Sequence, residues 1–121
     1  GFNFLTVIHP ESILAADVQM GEGVQMMAGS VVQCGSVIGD NVIINTGSSI
    51  DHDARIDSHS HIAPGVVLSG NVQVGSACHL GTGVIVTNGV TIPEQTFVKA
   101  GKVVGPKTYN SKESKKSLCQ I

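Results

Sequence analysis

At 121 residues with a net charge of −2, the chain has room for one domain and one core, and no overall surplus of charge with which to hold a polyanion. Three Phe, one Tyr and no Trp leave no run of aromatics interleaved with basic residues, so a nucleic-acid partner is not expected. There is no secretory leader, lipidation motif or long apolar run, and Cys34, Cys78 and Cys119 are odd in number and spaced as neither a disulfide framework nor a CxxC metal site, which together predict a soluble protein of the reducing cytoplasm with no membrane partner.

Residues 1–7 read as a lead-in. Phe2, Phe4 and Leu5 have little of their own to pack against, so a preceding domain or a neighbouring subunit is expected there, and the chain reads as a piece of something longer. Residues 8–105 carry the defining pattern. Every sixth residue from Ile8 through Ile44, Ile62 and Val86 to Val104 is Ile, Leu, Val or Met, without exception. Neither a helix of period 3.6 nor a flat strand of period 2 asks for that spacing, whereas a coil that turns a corner every six residues does. The residue two before each ladder position is small or β-branched (Ser30, Ser48, Ser60, Val72, Cys78, Val84), which suits a narrow shaft. The residue just after it is often Gly, Ala, Asn or Asp, and we expect the corners to need unusual backbone angles there. The predicted fold is therefore all-β: a left-handed parallel β-helix with three hexads per coil, each coil burying its aliphatic row only against its neighbours.

Residues 106–121 form a short Lys-rich tail, which could cover one end of the column. Charge is partitioned along the chain. Residues 1–98 hold Arg55 against eight acidic residues, a balance of −7, while residues 99–121 hold six lysines against Glu113, a balance of +5. The lysines at 112–116 read equally as a solvated tail, but Lys99, Lys102 and Lys107 sit on or beside the last coils, where they could hold a phosphate-rich cofactor.

With eighteen residues per coil, residues that differ by eighteen stack. His61 and His79 therefore lie one above the other, Thr82 and Ala100 share a nearby position, and Asn45 is close in phase, so all belong to one corner stripe. His52 lies nine positions from His61, half a circuit away. A coil edge is about 15–20 Å, so one chain does not bring both into one pocket, and a shared site would need two subunits. His52 is flanked by Asp51 and Asp53, as suits an imidazole held as a general base, and equally an idle surface Asp-His-Asp. His59 reads as solvated and His9 as a loop residue. The histidine spacing lacks the close ligands of a zinc site, so no metal is expected.

Two strings go further: Asn45-Thr46-Gly47-Ser48-Ser49-Ile50-Asp51-His52-Asp53, and Ser58-His59-Ser60-His61-Ile62-Ala63-Pro64-Gly65. With Leu80-Gly81-Thr82-Gly83 and Lys99-Ala100-Gly101, they resemble the sialic acid O-acyltransferase family, which includes acetyltransferases of nucleotide-linked 4-amino sugars such as UDP-N-acetylbacillosamine N-acetyltransferase. The resemblance covers about residues 6–105. It implies a homotrimer with sites between subunits, acetyl-CoA as donor and a sugar or nucleotide-sugar acceptor. It implies His52 as general base supported by Asp53, Asn45 placing acceptor or base, His61 near the thioester, and Thr82 and Ala100 along the pantetheine arm. The chain departs from the family in lacking its N-terminal α/β domain and in reading Gly105-Pro106-Lys107-Thr108 where a Gly-x-Pro-Ala-Lys turn is usual. Two other readings stay open: a non-catalytic assembly domain, and a zinc hydratase of carbonic anhydrase type.

Overall fold

The computed structural model describes residues 5–106, and every regular element within them is a two-residue β-strand. Strands recur every six residues, from β1 (Val7–Ile8), β2 (Ile13–Leu14) and β3 (Gln19–Met20) to β17 (Val103–Val104). Each pairs in parallel with the strand one coil away, as His61 pairs with His79 and Ser49 with Val67. Three parallel sheets of six, six and five strands result, the sides of a left-handed triangular column. β1, β2 and β3 open the first, second and third sheets. At about 4.8 Å per coil, the column stands about 27 Å tall. No helix of the described residues is long and apolar enough to cross a membrane.

The ladder is the core. From Met26 (1% exposed) through Ile44, Ile62 and Leu80 to Val104 (0%), its side chains fill the shaft, while Ile8 at the first coil is 42% exposed. Parallel bonds tie coil to coil, as from the Ile43 N–H to the Ser60 carbonyl at 3.0 Å. The small inward positions include buried serines, and their hydroxyls are satisfied within the shaft. Ser60 Oγ accepts the Cys78 N–H at 3.0 Å and donates to the Gly75 carbonyl at 2.9 Å. Ser48 Oγ donates to the Ala63 carbonyl at 2.9 Å. Serine therefore serves here as a small side chain that also bridges coils.

One expectation about the corners is corrected. Positive φ falls three residues after each ladder position from Met20 to Val98, not one, in an unbroken series from Gly23 through Asn41, Asp53 and Ala77 to Gly101. Glycines directly after the ladder have a different cause. A Cβ on Gly39 would stand 2.6 Å from the Ser58 nitrogen, and one on Gly81 would stand 2.6 Å from the Ala100 nitrogen. The next coil passes too close for any side chain, so these glycines answer to coil spacing rather than to dihedral freedom.

Candidate active site

His52 and Asp53 occupy the corner that joins the second sheet to the third. Asp51 Oδ1 accepts the His52 backbone N–H at 2.7 Å and caps the turn. Asp53 takes the left-handed corner position with φ 56°, a conformation that Asp tolerates better than most residues. Its Oδ2 lies 3.0 Å from His52 Nδ1. A carboxylate there holds the ring proton on Nδ1, which leaves the lone pair of Nε2 free to accept a proton. The pair is open to solvent, with side chains 47% and 59% exposed, so its Coulombic contribution to stability is small. Its value is in orientation.

His61 belongs to the first sheet, beside the corner that leads to the second. Its Nε2 is 3.4 Å from Asn45 Nδ2, while Asn45 Oδ1 accepts the Thr46 N–H at 2.7 Å. Asn45 thus donates, and His61 accepts with a neutral ring. The ring stacks on His79 with centroids 4.6 Å apart and planes 21° apart, and His79 meets Phe97 edge-on at 5.2 Å. Burial, reinforced by the neighbouring His79, pushes the His61 pKa below the ordinary imidazole value. Histidine NMR titrations are therefore expected to show His61 losing its proton at lower pH than an unperturbed histidine. Replacing His79 by Gln should recover part of that shift and leave the larger part, due to burial. Folding also favours neutral His61, so its contribution to stability declines as pH falls through the ordinary imidazole range.

Thr82 and Ala100 lie on adjacent coils of that same first corner, tied by the Gly101 N–H to the Thr82 carbonyl at 2.8 Å, and both are exposed. The left-handed position of this corner is glycine on every coil from the second onward: Gly29, Gly47, Gly65, Gly83 and Gly101. A Cβ on any of the last four would meet nothing within 4 Å. The corner is thus a strip of bare backbone that a slender chain can approach closely. Lys99 and Lys102 flank its upper end and are exposed, while Lys107 lies outside the described residues. The structure therefore brings Asn45 to His61 and Thr82 to Ala100, and it keeps His52 and Asp53 one full sheet away. Among the described residues, no group of three or more His, Cys, Asp or Glu is arranged to hold a metal ion.

Two residues at the His52 corner escaped the sequence reasoning. Gly70 sits directly over His52 on the next coil, and Asn88 one coil further. A signal for the first was present: among residues two after the ladder, from Pro10 to Pro106, Gly70 is the sole glycine.

Comparison with known proteins gives this geometry a chemical setting. Residues 35–70 match the bacterial transferase hexapeptide family (six repeats). A histidine-to-asparagine variant of perosamine N-acetyltransferase from Caulobacter crescentus, solved with CoA and GDP-perosamine, is 44% identical to the chain. It superposes with a TM-score of 0.85, over 86% of this chain and 50% of that one. The acetyltransferase domain of PglB from Neisseria gonorrhoeae is 37% identical with a TM-score of 0.84, over 89% of this chain and 54% of that one. That domain has also been solved with acetyl coenzyme A. A curated UDP-3-O-acylglucosamine N-acyltransferase from Leptothrix cholodnii is 46% identical over 37 residues, 31% of this chain and 11% of its own length. The chain carries hexapeptide transferase repeats, and these two solved neighbours are acetyltransferases, one of them the N-acetyltransferase of perosamine. It spans about half the length of those solved neighbours.

Proposed function

We propose that this chain is the catalytic β-helix of an acetyl-CoA-dependent acetyltransferase whose acceptor is an amino group on a nucleotide-linked sugar. The observation that carries the reading is the 3.0 Å contact between His52 Nδ1 and Asp53 Oδ2, which frees Nε2 as a base, on a fold whose neighbours bind CoA and GDP-perosamine.

Three copies stand side by side, so that His52 of one chain faces the glycine strip of the next. The outward rows support this arrangement. The second sheet presents Ile13, Val67, Ile85 and Val103, between 39% and 65% exposed, whereas the third presents Gln19, Arg55, Gln73 and Thr91. The pantetheine arm of the donor runs along the bare strip past Thr82 and Ala100, where its own groups meet corner backbone. Lys99 and Lys102 lie on the phosphate side, and neutral His61, held by Asn45, faces the thioester end. Asn45 also helps to place the acceptor.

The reaction is direct transfer. The acceptor amine attacks the thioester carbonyl while His52 Nε2 takes its proton. The tetrahedral centre then collapses, the carbon–sulfur bond breaks, and the departing thiolate recovers that proton from His52. Asp53 holds the imidazolium between the two steps. Most of the acceleration comes from holding amine and thioester together. Calorimetric titration with CoA is the test. Saturable binding, at one site per chain, is the expected result; no binding at millimolar CoA would leave the column as an assembly domain instead.

A further inference from the structure

His52 does not stand alone at its corner. It lies beneath the one hexad, at Gly70, whose second-after-ladder residue has no side chain. A Cβ on Gly70 would stand 2.5 Å from His52 Nε2, 2.7 Å from its Cε1 and 3.0 Å from Asn88 Nδ2. Gly70 has no left-handed φ, so dihedral freedom does not explain the glycine. Backbone crowding does not explain it either. At Gly39, Gly75 and Gly81, an added Cβ runs into the next coil's main chain, whereas at Gly70 its three nearest neighbours are all side-chain atoms. What glycine leaves room for here is the imidazole. Gly70 is buried although His52 and Asn88 are exposed, so these two side chains form its cover.

We propose that Gly70 is a positioning residue for His52, and that the notch over it, between His52 Nε2 and the Asn88 amide, seats the acceptor's reacting nitrogen. This rests on the reading of His52 as base and extends it to how the acceptor is held. A side chain at 70 would push the ring off the corner and away from Asp53, since the end of a side chain yields before a backbone does. The Asn88 amide offers a donor or an acceptor according to which way it turns. Facing a primary amine, its oxygen takes one N–H while His52 Nε2 takes the other, and the lone pair is left to attack.

The test is NMR of the histidine rings in the full chain at alkaline pH, with acetyl transfer to GDP-perosamine as the kinetic probe. In the wild type, the His52 proton is expected on Nδ1, with a nuclear Overhauser contact between its Hε1 and the Gly70 Hα protons. In Gly70→Ala, with amide spectra unchanged away from this corner, the ring is expected to become a mixture of both tautomers. Turnover of the probe should fall about 100-fold, as for a base displaced by an ångström, with KM for acetyl-CoA unchanged. Asn88→Ala should leave the tautomer alone and raise KM for the acceptor about tenfold, the loss of one hydrogen bond. An unchanged tautomer in folded Gly70→Ala overturns the positioning role. Should that variant fail to fold, absence of the Overhauser contact in the wild type does the same. An acceptor KM that Asn88→Ala does not move removes Asn88 from the notch. If the wild type transfers nothing to GDP-perosamine, that acceptor is ruled out, and the ring measurements decide the Gly70 role by themselves.

Discussion

Leu68→Ala is expected to destabilise the column by about 2–5 kcal/mol, the usual range for a buried leucine cut to alanine. Leu68 is fully buried, in a strand paired on one side with that of Ile50 and on the other with that of Val86. No side chain from outside the stack can move in to fill the gap, because each coil touches only the coils above and below. The cavity therefore remains, and with it most of the lost contact energy. The same geometry predicts where the damage appears. Hydrogen exchange should accelerate in the coils around Leu68 before those far along the column, since stability in such a stack is a chain of neighbour terms. Gln73→Ala, an exposed substitution on the third sheet, should change stability by no more than about 0.5 kcal/mol. Denaturant unfolding of the two variants checks the contrast. Equal losses would mean that the ladder is not what holds the coils together.

The ladder was legible because it is the core itself: one aliphatic and one small residue per hexad leave few other ways to close a three-sided shaft. The pairing of His52 with Asp53 was legible for a similar reason, being a matter of adjacent residues at a turn. The corners were not read correctly. Glycine has two separate causes there, and sequence spacing alone merges them. Gly83 and Gly101 serve a positive φ, whereas Gly39 and Gly81 serve the close passage of the next coil. Gly70 belongs to neither class, and its cause lies eighteen residues earlier, in the tilt of the His52 ring. Eighteen-residue phase is enough to put position 70 above His52, but it cannot say whether the ring leans up onto that residue or out into water. Contacts such as Asn45 with His61 lay within reach of the phase argument, because a shared corner on neighbouring coils puts side chains within bonding distance.

His52→Ala is expected to lower acetyl transfer by about 10²–10⁴-fold, the range for loss of a positioned general base, and to leave the melting temperature nearly unchanged. Both halves follow from what the residue does in the structure. Its backbone supports the fold: the His52 carbonyl accepts the Asn71 N–H at 3.0 Å, and its own N–H is capped by Asp51. Alanine keeps both bonds. Its ring is 47% exposed and touches Asp53 and the bare surface of Gly70, so little packing is lost. The catalytic loss should fall on kcat, with KM for acetyl-CoA unchanged, because the donor's strip lies on a different corner from the base. Mixing two inactive variants, His52→Ala and one altered at Thr82, makes a further check on subunit sharing. If the base and the donor strip come from neighbouring chains, mixed assemblies contain some sites with neither lesion, and activity returns. If each chain holds a whole site, every site keeps one lesion and no activity returns.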